Sequence, residues 1–344
     1  MITTFLATLT PMLTLLLCIA IGYALRKGKI LPDNSGKVMA KLENWVFCPA
    51  LSFMTMARNF KVERLTNYAT TIALACVIMC IALPLAILLA RVFVKTKSPE
   101  RGIYAYALMF GNFGYVGDPV VMALYGDEGL VYYKLFTISF SILVYVWGIS
   151  MLVPSNVNES STRAERVKGT LKKIFSPPTV ALLVGIVVGL TMNIDAIPQI
   201  KFATNALDNL KACMGPVAMI LAGYTVAGFS LKRTLAKHKV YYATALRLLV
   251  LPTVLIATLF GAKELFNLLL GWNVNNDVLY CAFFVFATPL GLNTIVFPEA
   301  YGGDSETGAS MAIISHTLCV LTIPLLYAIM IELFGAPSFV SALI

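Results

Sequence analysis

Charge is scarce in this chain. Only 12% of its 344 residues are Asp, Glu, Lys or Arg, about half the share of a soluble globule. Histidine is almost missing: His238 and His316 are the two present. The seven cysteines (Cys18, Cys48, Cys76, Cys80, Cys213, Cys281 and Cys319) all lie in apolar runs, and none forms a CxxC pair. That spacing assembles no metal site, so the cysteines read as small packing residues. There is no GxxxxGK[ST] loop, which argues against ATP consumption by this chain. No nucleophile–base pair stands out, so the chain does not read as an enzyme, and no cofactor is implied. Met1–Thr10 lacks a basic residue ahead of its apolar run, unlike a cleavable signal peptide, and the first segment reads as a true span. Long polar stretches are also absent. The longest, Pro154 to Lys173, has a Ser/Asn-rich start and a basic end, the character of a cytoplasmic linker.

What is present is hydrocarbon. Hydrophobic residues make up 59% of the chain, in repeated runs of about 20 residues, the length that crosses a bilayer as helix. Ten runs are read, at roughly 4–25, 36–57, 68–94, 101–124, 129–152, 177–194, 204–229, 240–261, 277–301 and 306–331. The expected fold is an all-α multi-pass membrane protein of ten transmembrane helices. The net charge of +9 could suggest nucleic acid, but its distribution argues otherwise. With the N-terminus outside, the odd-numbered loops and Arg247 hold 19 of the 26 cations. The other seven are Arg58, Lys61, Arg64, Lys134, Lys201, Lys211 and Lys263. This positive-inside bias puts both termini on the extracellular or periplasmic side of a cell membrane.

The chain also repeats itself. Pro11, Leu15, Leu16, Gly22, Pro32 and Pro49 reappear 166 or 167 positions later as Pro178, Leu182, Leu183, Gly189, Pro198 and Pro216, and Pro84 returns at 168 as Pro252. After a length change near Gly261–Asn276 the spacing becomes 176, placing Tyr104, Phe110, Tyr125, Gly126 and Ser139 on Tyr280, Phe286, Tyr301, Gly302 and Ser315. A unit with an odd number of spans, repeated once, lies upside down relative to its twin, as in many secondary transporters. The division is 1–152, helices 1–5; a linker, 153–176; and 177–344, helices 6–10.

Spans 4 and 9 are chemically unlike the rest. Span 4 contains Asn112, Gly114, Gly117, Asp118 and Pro119; span 9 contains Thr288, Pro289, Asn293 and Thr294. Glycine, proline and polar side chains at mid-span oppose a continuous helix. Unwound backbone survives in a membrane only where protein or trapped water satisfies it. Two matched breaks therefore predict broken helices 4 and 9 crossing one another. Their half-helix N-termini would suit a carboxylate. Asn112, Asn293, Thr288 and Thr294 can donate to that ligand or hold the unwound chain together.

The segments 112–119 (Asn-Phe-Gly-Tyr-Val-Gly-Asp-Pro) and 124–129 resemble the fourth-span signature of the auxin efflux carrier family. Thr288-Pro289, Asn293-Thr294 and 301–304 resemble its ninth-span signature, and Arg247 to Pro252 resembles its eighth span. The resemblance covers essentially the whole chain. It implies a scaffold of helices 1, 2, 6 and 7 that often dimerises, and a mobile transport domain of helices 3–5 and 8–10. It associates prokaryotic relatives with malate, malonate and similar organic anions. Asp118 departs from the family pattern, where an apolar residue is more usual.

Differences between the halves point to specificity. His316 stands where the first half has Phe140, and an ionisable group at depth is a candidate for proton coupling; a neutral histidine bonded to backbone is the alternative. Asp118 can carry a proton or cation, or cap the half-helix that starts at Pro119. Arg247 reads as a snorkelling side chain, with an anion-attracting gate as the alternative. Glu43, Glu299, Asp304 and Glu306 fall near span ends and read as solvated. The expectation is a secondary active carrier of a small organic anion, such as malate or an auxin-like acid, with a co-transported proton or sodium. Elevator-type alternating access would move the crossing, and a homodimer is expected. The alternatives are a non-transporting sensor of a lipid or metabolite, and a cation/proton exchanger.

Overall fold

The computed structural model describes residues 2–96, 98–152, 168–171, 174–230, 237–271, 274, 276–301 and 303–337. Most of the predicted linker lies outside the described residues, as do Met1, Ile344 and the basic residues Lys97, Arg163, Arg166, Lys172, Lys173, Lys232 and Arg233. Among the described residues the chain is helical throughout, with one isolated β-bridge. The α-helices in order are α1 (Ile2–Lys27), α2 (Ser35–Leu42), α3 (Cys48–Asn59), α4 (Leu65–Phe93), α5 (Pro99–Met109), α6 (Asp118–Leu143), α7 (Ile149–Leu152), α8 (Pro177–Thr191), α9 (Lys201–Val226), α10 (His238–Ala245), α11 (Leu251–Leu270), α12 (Asp277–Ala287), α13 (Asn293–Tyr301) and α14 (Ser305–Phe334). Among the described residues, five helical stretches are long and apolar enough to cross a membrane by length and composition, the third of them bent at Gly126: Ile2–Lys27, Val62–Phe93, Phe113–Leu152, His238–Leu270 and Ser305–Phe334.

Proline shapes several of these helices. Wide π turns at Glu43–Phe47, Phe113–Gly117 and Leu246–Val250 each end two residues before a proline: Pro49, Pro119 and Pro252. A proline donates no N–H, and its ring crowds the carbonyl four residues back, which here belongs to Trp45, Tyr115 or Leu248. Opening the turn relieves that clash. Helix starts follow local chemistry. Ser98 accepts from the Arg101 N–H ahead of α5, and Asp304 accepts from the Thr307 N–H ahead of α14.

Gly126 breaks α6. Its φ of 63° and ψ of −164° reverse the chain. A straight helix would separate Asp118 from Lys134 by about 24 Å at 1.5 Å per residue; instead they form an ion pair. The residues before and after Gly126 are therefore two arms of a helical hairpin, as the expected boundary between spans 4 and 5 requires.

Two close helix contacts are counterparts. Gly22 of α1 meets the Ile220 backbone of α9, and Gly223 of α9 meets the Ile19 backbone of α1. In the same manner, Gly185 and Gly189 of α8 meet the backbones of Phe53 and Met56 of α3. A side chain at any of these glycines would collide with main chain. The repeat spacing of 167 places Gly22 on Gly189, Phe53 on Ile220 and Met56 on Gly223. Outward faces carry bare apolar side chains, among them Leu17, Val187, Leu268 and Leu321. Such broad apolar cover suits lipid.

The cations outside the predicted cytoplasmic loops have a physical explanation. Arg58 pairs with Asp195 and Asp208, Arg64 with Glu128, Lys134 with Asp118, Lys211 with Asp127, and Lys263 with Glu264. Five of those seven cations thus carry an acidic partner, so their net contribution to the charge bias is small.

Candidate functional site

The two mid-span breaks meet. α5 ends when Phe110 turns extended, and α12 ends when Thr288 does the same. The freed strands pair antiparallel at Gly111 and Leu290, with the Asn112 N–H donating to the Pro289 carbonyl at 2.7 Å. The Leu290 N–H donates to Ser315 Oγ at 3.0 Å. Each chain then re-enters helix, through the π turn Phe113–Gly117 into α6 and directly into α13. A new helix leaves its first amides without intrahelical acceptors. Here the N–H groups of Phe113, Gly114 and Tyr115, and of Gly291, Leu292 and Asn293, have no acceptor among the described residues. All six residues line one cavity of about 180 Å³.

The other ends of the half-helices are held by Arg247, which projects from the π turn before α11. Its Nη1 donates to the Leu108 carbonyl of α5 at 3.1 Å. Its Nη2 donates to the Val285 carbonyl of α12 at 3.1 Å and to that of Thr288 at 3.4 Å. One guanidinium thus covers both negative helix ends. It is fully buried, and no carboxylate pairs with it among the described residues. Gly111 makes room for it, since a Cβ there would overlap Nη2 and the Thr288 hydroxyl. The snorkelling expectation is therefore corrected: Arg247 lies behind the crossing because it has carbonyls to bind there.

A second cavity, of about 190 Å³, adjoins the first along Phe113–Tyr115. It shares Phe113, Gly114, Tyr115, Ser141 and Tyr145 with the first. A Cβ on Gly114 would touch nothing within 4 Å, so the boundary between the cavities is open there. The buried pair Asp118–Lys134 lines the second cavity. Asp118 makes no capping bond to α6; the ammonium of Lys134 takes that carboxylate instead, which corrects the capping alternative. Glu43, expected to be solvated, is fully buried. One of its oxygens accepts from the Cys48 thiol at 3.7 Å and the other has no partner. The reason is the wide turn before Pro49, which rolls Glu43 inward against α9.

Of the residues singled out in the sequence, Asn112, Gly114 and Asn293 line the first cavity, and Gly114 and Asp118 the second. Asn293 donates to the Tyr106 hydroxyl at 3.0 Å. His316 reaches the crossing through Asn112, with Nε2 3.4 Å from its amide nitrogen. The His316 Nδ1 lies 2.8 Å from the Ala312 carbonyl, and these partners assign Nδ1 as donor and Nε2 as acceptor. Thr288 and Thr294 are buried and turn their hydroxyls back onto the Val285 and Gly291 carbonyls. They hold the unwound chain together. Pro289 contributes its carbonyl to Asn112, Gly117 packs on the Tyr133 hydroxyl, and Pro119 packs on Gly215 of α9. Sequence reasoning missed Lys134 and the depth of Arg247 and Glu43. The signal was available in the repeat, which puts uncharged Ser310, Met79 and Leu210 at the matching positions.

Residues 7–327 match the model of a family described as membrane transport protein, the auxin efflux carrier family. The chain belongs to that family. A further relative, an uncharacterized transporter of Methanocaldococcus jannaschii, is 26% identical over 91% of this chain and 96% of its own length. Auxin efflux carrier membership and the long apolar helices make the chain a multi-pass membrane transporter.

Proposed function

We propose that this transporter is a secondary carrier of a small organic anion, a carboxylate such as malate or an auxin-like acid, held where the two broken helices cross. The observation that carries the reading is the first cavity, lined beside Asn112 and Asn293 by six residues from two helix N-termini whose amides have no acceptor among the described residues. Amides so arranged favour an anion. Arg247 adds a full positive charge behind them while covering the helix ends that would repel one. Each cavity is below the ~300 Å³ lower bound for drug-sized ligands, which suits a small acid.

The wider architecture follows from the same reading. The ten spans form two oppositely oriented five-helix halves, supported by the counterpart contacts α1–α9 and α3–α8. A dimeric scaffold of helices 1, 2, 6 and 7 stays fixed while the crossing moves against it, elevator fashion, with both termini outside. The cation/proton exchanger is less favoured, because Asp118 already has its cation in Lys134.

Uptake into proteoliposomes tests the proposal, with labelled L-malate, malonate and indole-3-acetate under proton and sodium gradients. Saturable flux is expected, with loss of binding in the folded double variant Asn112→Ala/Asn293→Ala. Neither flux nor binding for any acid would sink the reading. Binding without flux would move it to the sensor.

A further inference from the structure

Building on the carrier reading, we propose that Lys134 is a second carboxylate anchor held in reserve by Asp118, so that a dicarboxylate enters with one proton and a monocarboxylate with none. The argument is one of charge balance. Arg247 contributes one uncompensated positive charge at the crossing, and the Asp118–Lys134 pair sums to zero. A single carboxylate on the free amides neutralises Arg247, and the site is then balanced. A second carboxylate would leave a net negative charge in a buried site, which is costly. A proton on Asp118 removes that cost. It breaks the ammonium–carboxylate contact, leaves Asp118 as a neutral acid and turns the Lys134 ammonium to the ligand.

The geometry supports such an exchange. Asp118 and Lys134 both line the second cavity, which abuts the crossing cavity along Phe113–Tyr115, and Gly114 leaves the boundary open. Ser52, Thr137 and Ser141 line the same cavity and can receive the displaced ends. The titratable neighbours of this pair are few. Tyr133, on the same hairpin, gives its hydroxyl to the Phe113 carbonyl, and Tyr115 and Tyr145 line the same cavity. Cys48 lies on α3, with Glu43 behind it. From α9, Gly215 packs on Pro119, while Asp208 and Lys211 are engaged by Arg58 and Asp127. From α8, the cavity meets Pro178, Thr179 and Leu182. Glu43 is fully buried with one oxygen unpartnered; Glu43→Gln should leave the proton count unchanged, and a lost proton there would overturn the role given to Asp118.

Calorimetry of the purified full chain near pH 7, in two buffers of different ionisation enthalpy, counts protons taken up per ligand bound. The probes are L-malate and L-lactate. The expected result is about one proton per malate and none per lactate. Asp118→Asn should still bind malate but take up no proton. Lys134→Gln should bring malate affinity down to that of lactate, at least tenfold, and Lys134→Arg should restore it; equal melting temperatures separate this from misfolding. Malate binding without proton uptake in the unsubstituted chain overturns this inference and leaves the carrier reading standing, as does full malate affinity in folded Lys134→Gln. Failure of both acids to bind removes the carrier reading and this inference with it.

Discussion

Replacing Arg247 with methionine, the residue at its counterpart position Met79, separates charge from packing at the crossing. Two hydrogen bonds of 3.1 Å and a longer one of 3.4 Å would be lost; at about 1.5–3 kcal/mol for a bond to a charged group, the two shorter ones alone are about 3–6 kcal/mol of folding stability. Against this, methionine relieves the burial of an unpaired cation, which costs several kcal/mol. Val285 also keeps the Thr288 hydroxyl as a donor at 3.2 Å. The two terms oppose each other at similar size, so the expected change in stability is small. Binding is different, because nothing replaces the field. A unit charge acting on an anion through one backbone layer, about two hydrogen-bond lengths or ~6 Å, contributes about 3 kcal/mol at an effective dielectric of 20. Arg247→Met should therefore weaken malate binding about 100-fold, measured by calorimetry beside a melting curve. Arg247→Lys keeps the charge but reaches fewer carbonyls, and should melt lower while losing less affinity. A folded Arg247→Met protein with undiminished affinity would refute the claim that buried charge draws the ligand.

Gly111→Ala should prevent correct assembly of the crossing, because the added methyl overlaps Arg247 and Thr288; a melting curve like that of the parent chain would contradict this. His316→Phe restores the residue found in the other half. It should lower malate affinity a few-fold, by releasing the Asn112 amide, and leave the proton count unchanged. A lost proton would transfer the coupling role from Asp118 to His316. Asp127 ties the hairpin tip to Lys211 of α9 and, at 3.2 Å, to Thr55 of α3. Asp127→Asn should weaken that attachment by about 1–2 kcal/mol, a factor of 5–30 in an opening equilibrium. In a background where Cys48 is the sole cysteine, its labelling by a thiol reagent should speed up accordingly; an unchanged rate would show that the tip does not limit access.

Much of this arrangement was legible in the sequence because backbone chemistry is local. Proline and glycine act on their own turn, so Gly111 to Pro119 and Thr288 to Asn293 announced the breaks, and the repeat announced that the breaks meet. Side-chain depth was less legible. Hydropathy places Glu43 and Arg247 near the ends of apolar runs, where water or headgroups are expected to receive them. What reverses that expectation is tertiary. The widened turn before Pro49 rolls Glu43 inward, and the carbonyls freed at two distant helix ends give Arg247 a reason to stay. The Asp118–Lys134 pair was hidden for a different cause: the turn at Gly126 was expected between spans 4 and 5, but hydropathy does not say which faces of the two arms meet.

The charged groups at the site share one property that ties these cases together. Glu43 stands opposite Leu210 in the repeat, Arg247 opposite Met79, Asp118 opposite Thr294, Lys134 opposite Ser310 and His316 opposite Phe140. The backbone crossing is built from breaks that recur in both halves, while each of these five side chains has an uncharged counterpart in the other half. A symmetric pair of helix N-termini would bind the two ends of a symmetric anion equally. Lys134 and Asp118 flank only the turn at Phe113–Gly117, so the crossing gains a direction: one face presents amides alone, and the other presents amides beside a cation that can be exchanged. Removing the pair as a unit, by Asp118→Thr with Lys134→Ser, the residues of the other half, should keep the backbone crossing and its affinity for lactate while abolishing the proton-linked binding of malate. Thr294 and Ser310 are fully buried and line neither cavity, so the other half supplies no substitute for the pair.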